Sequence, residues 1–204
     1  VLEHITRIFA LALIEAEQIE PHGELEVKHR YLSEVPKLLM QEKNSQAVNK
    51  CIYERQGWSA RHGGLEQRFI QWASADASVM AFCKISENRH TFVRLRYVRQ
   101  DGLPAFYCPD FLLRTADAIY LVETKAQKDV NQPDVQRKLK AAQTWCERIN
   151  ALPGEHRQGL PWHYVLLGEA SFDDWQGKGA NLSELLNFAR VRPVASAALQ
   201  GALL

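Results

Sequence analysis

FYCPDFLLR at residues 106–114 and YLVETKAQ at residues 120–127 decide the reading of this chain. Both have the aromatic and aliphatic composition of strands, and each carries charge inside it. Tyr120, Leu121 and Val122 run straight into Glu123-Thr124-Lys125, and Asp110 is followed by Phe111, Leu112 and Leu113. Charges set among sheet-core residues are costly unless they are paired or hold a metal. Side chains alternate along a strand, so Glu123 and Lys125 share one face. Thr124 points to the other face, where it reads as packing. The strands read as Ala105 to Arg114 and Ile119 to Lys125, with Ala116 and Asp117 turning the chain between them. Asp110 then lies on the strand paired with Glu123, and two carboxylates and one lysine can converge.

That grouping suits phosphodiester hydrolysis. Hard oxygen ligands suit Mg²⁺, which keeps several waters when held by one or two carboxylates, and Mn²⁺ is expected to substitute. The ion would activate a water and stabilise charge on phosphate oxygens. A lysine beside it can orient the water, share its proton or hold the phosphate. Taken singly, an Asp beside a proline is ordinarily a strand-end residue, and a Glu-x-Lys on a strand is ordinarily a solvated face. The joint pattern is what points to a site. An internal ion pair, Asp110 or Glu123 with Lys125, is the competing explanation.

Outward from this centre, Leu65 to Ala73 places Leu65, Phe69, Trp72 and Ala73 on one helical stripe. Glu66 stands at the edge of that stripe and is a candidate third carboxylate. Thr91 to Val98 alternates with period two and reads as the first of three strands, closed by a turn at Asp101-Gly102. Asn131 reads as the N-cap of a helix with Pro133 in its first turn. That helix runs to about Ile149 and buries Val135, Leu139, Ala142, Cys146 and Ile149. A fourth strand follows at Trp162 to Leu167, and Asn181 with Glu184 forms a capping box for a last helix. The order helix, three strands, helix, strand predicts an α/β core with a mixed central sheet flanked by helices. Residues 1–20 read as an amphipathic helix stopped at Pro21-His22-Gly23, and part of 31–50 as a second one with Pro36 near its start. Residues 1–60 are therefore expected to be a helical appendage or linker, and 61–204 the catalytic domain.

Bulk properties agree with this and narrow it little. The 204 residues are 46% hydrophobic and 24% charged, as in a globular domain, and charges interrupt every apolar run, which argues against a membrane span. The formal net charge of +1 gives no global signal for nucleic acid, but acids for a metal and bases for phosphates can cancel. Cys51, Cys83, Cys108 and Cys146 form no CxxC pair, so they read as free thiols in a reducing cytoplasm. The chain begins at Val1, which reads as a piece of a longer polypeptide.

Pro109-Asp110 followed by Glu123-x-Lys125, after a helix bearing Glu66, resembles the PD-(D/E)xK nuclease superfamily. GGLEQRF at 63–69, FYCPDFLLR and YLVETKAQ together resemble the C-terminal endonuclease domain of type III restriction enzyme subunits. The resemblance covers roughly residues 63–190. It implies divalent-metal-dependent cleavage of DNA, with Asp110, Glu123 and Glu66 as metal ligands and Lys125 as the catalytic lysine. It also implies a helicase-like ATPase region on the same polypeptide and a modification subunit. This chain has no phosphate loop, because Gly177-Lys178-Gly179 is too short and lacks the Ser/Thr, so any use of ATP belongs to a region outside it.

Further candidates are basic or polar. Arg94 and Arg96 (with Arg99) form a basic edge, Lys138 with Arg137 and Lys140 crowds the helix after the motif, and Gln143 follows on that helix. Arg94, Arg96, Lys138 and Gln143 are candidates for DNA contact, against the plain alternative of solvated surface. His90 reads as part of a polar turn, and Trp145, Trp162 and Trp175 as packing. Three functions compete: the nuclease module of a type III-like restriction enzyme, a repair or recombination nuclease of the same fold, and a catalytically silent DNA-binding or assembly module. Asp110, Glu123 and Lys125 are all present, which counts against the third. A single carboxylate cluster engages one phosphate at a time, so a double-strand break is expected to need a second copy.

Overall fold

A computed structural model describes residues 27–60 and 64–191 of the chain. In chain order the elements are β1 (Ser45–Ala47), β2 (Arg55–Gly57), α1 (Gly64–Ala75), β3 (Ala81–Lys84), β4 (Leu95–Val98) and β5 (Pro104–Tyr107). Next come β6 (Phe111–Arg114), β7 (Ile119–Lys125), α2 (Pro133–Asn150), β8 (Trp162–Gly168), α3 (Glu169–Gly177) and α4 (Leu182–Val191). The central sheet has the order β3-β6-β7-β8. β6 runs antiparallel to β3 and β7, and β7 is parallel to β8 through the crossover helix α2. With the β4–β5 hairpin set aside, the order is α1, three strands, α2, strand, in a mixed sheet, as expected from the sequence.

The alternation along β7 sorts two cores. Tyr120 and Val122 join Phe111 and Leu113 of β6 and Val165 and Leu167 of β8 under α1, α3 and α4, where Leu65, Phe69, Ile70, Phe172 and Leu185 pack. Leu121 joins Tyr164 and Leu166 of β8 under α2, where Val135, Leu139, Ala142 and Cys146 pack with Tyr97 and Tyr107 of the hairpin. Covered on both faces, β7 is buried from Ile119 to Thr124, which is why its sequence is a continuous apolar run and not an alternating one. Each large apolar side chain buried this way contributes roughly 1.5–3 kcal/mol, so the two layers hold the sheet rigid beneath Glu123. Among the described residues no helix is long and apolar enough to cross a membrane, and all four cysteines are free.

Several sequence expectations are corrected. In Thr91–Val98 only Leu95–Val98 is a strand, and it pairs with β5 outside the central sheet. The third antiparallel position is filled by β3, whose Lys84 pairs with Phe111. Ala105–Arg114 is broken at Cys108–Asp110, because Pro109 has no N–H for a ladder; the Asp110 carbonyl instead accepts from the Ile85 amide at 2.8 Å. The stretch 31–50 is not a helix. It forms 3₁₀ turns at Leu32–Glu34 and Glu42–Asn44 and then β1, since Pro36 removes a helical hydrogen bond and only Val35 and Ser45 are buried there. The N-cap of α2 is Gln132, one residue later than expected, with Pro133 first in the helix. Ile149 is half-buried at the end of the α2 stripe. His90 is not a solvated turn residue. It is fully buried, with Nδ1 accepting from the Ser86 amide at 2.9 Å and Nε2 2.8 Å from the Tyr53 hydroxyl. The expected helix at 1–20 and its stop at 21–23 lie outside the described residues, as does Gly63.

Other turn chemistry agrees with expectation. Gly102 has φ 81°, and Asn181 and Glu184 exchange hydrogen bonds at 2.9 and 3.0 Å ahead of α4. Trp145 and Trp162 meet edge to face, and Trp175 packs on Phe188, as packing residues do.

Candidate active site

Phe111 lies opposite Val122 in the β6–β7 ladder, so one step beyond it Asp110 comes opposite Glu123. Glu123 and Lys125, two residues apart on β7, meet directly, with Lys125 Nζ 2.7 Å from Glu123 Oε1. Glu123 is only 5% exposed, and its Oε2 is buried without a hydrogen-bond partner among the described residues. Burial first, and then the charge of Asp110, push its carboxyl up to about 7, against the opposing pull of Lys125. Burial pulls the Lys125 ammonium down, but Glu123 and then Asp110 and Glu66 outweigh it and hold the lysine above its ordinary value. The site therefore presents a firmly charged lysine against a glutamate poised between its two forms at neutral pH.

Asp110 is fixed from β7. The Thr124 amide donates to Asp110 Oδ2 at 2.8 Å and the Thr124 hydroxyl donates to the same oxygen at 2.7 Å. Thr124, expected to be packing on the opposite face, is thus the anchor of the aspartate. Strict alternation does not apply, because Asp110 sits in the break before β6 and its carboxylate folds across the end of β7.

Glu66 is brought to the same end of the sheet from the first turn of α1. Its Oε1 is 2.8 Å from Lys84 Nζ, and its Oε2 accepts from the Ser59 amide at 2.9 Å. Lys84 also stands 3.9 Å from Asp110 Oδ1 and 5.2 Å from the centre of the Phe111 ring. The sequence reading missed Lys84. Its signal was the AFCK run, whose alternation puts Phe82 and Lys84 on the α1 face once β3 is known to be a core strand. The expected cluster of three carboxylates is not formed: among the described residues no three Asp, Glu, His or Cys side chains converge closely enough to enclose an ion. Glu66 faces Lys84 instead.

What remains is a two-carboxylate donor set, Asp110 and Glu123, and it fits a hard divalent ion. The oxygens are of the right kind, one of them is a buried and unpartnered Glu123 oxygen, and Mg²⁺ is ordinarily held by one or two carboxylates plus waters and substrate phosphate. When bound, such an ion supplies Lewis acidity to a phosphodiester oxygen and lowers the pKa of a water. Thr124 orients Asp110, and Lys125 provides a fixed proton-bearing cation at the open end of β7.

The other candidates divide. Lys138 points at the site: its ammonium lies 5.5 Å from the Tyr97 ring centre and 5.4 Å from that of Tyr107, and its charge pulls on Glu123. Arg94 is exposed, and its charge bears on the Cys108 thiol, two residues before Asp110. Arg96 is exposed on β4. Gln143 is half-buried on α2, about 7.5 Å further along the axis than Lys138 at 1.5 Å per residue. It lies toward the end where Asn150 bonds Trp162 at the start of β8, away from the site.

A mixed four-stranded sheet with this order of helices, and an acid-acid-lysine group at the β6–β7 end, is compatible with a restriction-endonuclease-like fold. A family model described as "TnsA-like endonuclease N terminal" matches residues 83–151. The match runs from β3 through the hairpin, β6, β7 and α2, so it takes in Asp110, Glu123 and Lys125 but not Glu66. No curated protein and no solved structure gives a significant match to the chain.

Proposed function

We propose that this chain is a divalent-metal-dependent DNA endonuclease that hydrolyses phosphodiester bonds with Asp110 and Glu123 as ligands of Mg²⁺ (or Mn²⁺) and Lys125 as the catalytic lysine. The observation that carries this reading is the buried Glu123, one oxygen on Lys125 and the other without a partner, opposite an aspartate oriented by Thr124. A buried carboxylate kept half-satisfied is costly for stability alone and sensible for an ion. Lys138 and Arg94 flank this centre and are proposed to hold the DNA backbone, with Arg96 further out on the hairpin.

The sequence motifs support the nuclease module of a type III-like restriction enzyme, working in the cytoplasm with a helicase-like ATPase region and a modification subunit. In this reading residues 61–204 are the nuclease domain, and residues 1–60 connect it to its neighbours. ATP would act only through the motor, and a double-strand break would need two copies. The TnsA-like match supports an endonuclease in general and leaves room for a second reading, a repair or recombination nuclease of the same fold. Nicking of supercoiled plasmid in Mg²⁺ or Mn²⁺ but not in EDTA tests the activity. Equal persistence of plasmid in all three would reduce the chain to a DNA-binding or assembly module. Comparing linear, single-stranded and branched DNA separates the two nuclease readings.

A further inference from the structure

Lys84 is the charged group at the site that the nuclease reading leaves without a task. It is not a loose surface lysine. Its side chain is 19% exposed, and its amide donates at 2.6 Å to Oε1 of Gln56, a fully buried side chain. Its stem belongs to β3 in register with Phe111, over whose ring the ammonium lies. The ammonium stands 2.8 Å from Glu66 Oε1 and 3.9 Å from Asp110 Oδ1.

Nucleases with two ions place them about 3.5–4 Å apart, where they stabilise the attacking and leaving oxygens together. Here Asp110 stands between Glu123, which it comes opposite one step beyond the β6–β7 ladder, and Lys84, whose ammonium is 3.9 Å from its Oδ1. Glu66 is the acid that would complete a second ion's ligands, and Lys84 already holds it. Resting on the reading of Asp110 and Glu123 as ligands, we propose that the Lys84 ammonium stands in the place of a second metal ion, so that the site binds a single divalent cation. Charge agrees with this. Three carboxylates against two ammoniums leave one negative charge when all are ionised, which one divalent ion reverses and a second would turn strongly positive. Glu66 is then a positioning residue for Lys84.

Mn²⁺ titration of the full chain, followed by electron paramagnetic resonance and calorimetry, tests this without reference to cleavage. The wild type should bind one ion. Lys84→Ala and Lys84→Met should each bind two, the second more weakly, and adding Glu66→Gln should remove the second again. The methionine keeps an apolar stem on Phe111, so it remains informative if the alanine variant fails to fold, and circular dichroism reports folding for each. Two ions in the wild type, or one ion in a folded Lys84→Met, overturns the inference alone. No Mn²⁺ binding to the wild type overturns the inference and the ligand reading together.

Discussion

Thr124 holds one oxygen of Asp110 twice, through its amide at 2.8 Å and its hydroxyl at 2.7 Å. The other oxygen, Oδ1, is thereby presented toward the site. This is a positioning contact, and errors of about 1 Å in such geometry cost on the order of a hundredfold in rate. Thr124→Val keeps the amide bond and the shape but loses the hydroxyl donor. We expect kcat to fall about tenfold to a hundredfold with KM for DNA little changed, and weaker Mn²⁺ binding. Thr124→Ser should restore both. If valine and serine behave alike, the hydroxyl has no part in orienting Asp110.

Asp110→Ala and Glu123→Ala should each abolish cleavage while leaving a folded protein. Neither residue belongs to the two apolar clusters, and two ligands are few enough that losing one removes the ion. The check is single-turnover cleavage on preparations with wild-type circular dichroism. Wild-type rates in Mg²⁺ from either variant would remove both residues from the ion.

The elevated Glu123 carboxyl predicts a pH dependence. Unfolded, a glutamate ionises near 4.5; folded, this one keeps its proton to about 7. Between those values the folded state binds more protons, so stability without metal falls as pH rises through this window, and the whole penalty is present above 7. Glu123→Gln carries no charge and should match the wild type in melting temperature at pH 4 but exceed it at pH 8. At 1.36 kcal/mol per pH unit the gap is on the order of 3 kcal/mol. A divalent ion competes with the same proton, so Mn²⁺ affinity of the wild type should rise about tenfold per pH unit below 7 and then level off. A melting gap that does not change with pH would show that Glu123 is not held near neutrality.

The sequence shows β7, α2 and α4 plainly because long elements with two covered faces or a full apolar stripe leave a dense pattern. β3 does not, since four residues cannot display a period. Thr91–Val98 alternates just as a core strand would, but its partner is only the short β5 and the pair lies over α2. α3 buries Phe172 alone, too little to mark a helix. At the site, Asp110, Glu123 and Lys125 stand out as charges embedded in apolar sequence. Lys84 ends a short run and looks like solvated surface until Glu66 is seen opposite it. The role of Thr124 follows from the irregular backbone at Cys108–Asp110, which strand alternation cannot anticipate.

Lys125 separates catalysis from simple pairing. Its ammonium lies 2.7 Å from Glu123 Oε1, and its side chain is 28% exposed, so it is reachable by a phosphate while its partner is not. If the pair were only structural, Lys125→Ala would leave a buried carboxylate alone, which ordinarily costs about 3–5 kcal/mol. Glu123 has an escape from that cost. Its carboxyl is already up at about 7, and without Lys125 it takes a proton at neutral pH and becomes neutral. The stability loss should therefore be small at pH 7 and grow toward pH 9. The rate should behave differently, because a cation that offsets developing charge acts mainly in the transition state. Such groups are typically worth about a hundredfold to a thousandfold. Lys125→Ala should bind DNA in Ca²⁺ nearly as the wild type does, yet cleave at most about one-hundredth as fast in Mg²⁺. Melting curves at pH 7 and 9 and single-turnover rates from one preparation decide the matter. A large loss of stability with a near-normal rate would make Lys125 a structural partner of Glu123 and remove it from the chemistry.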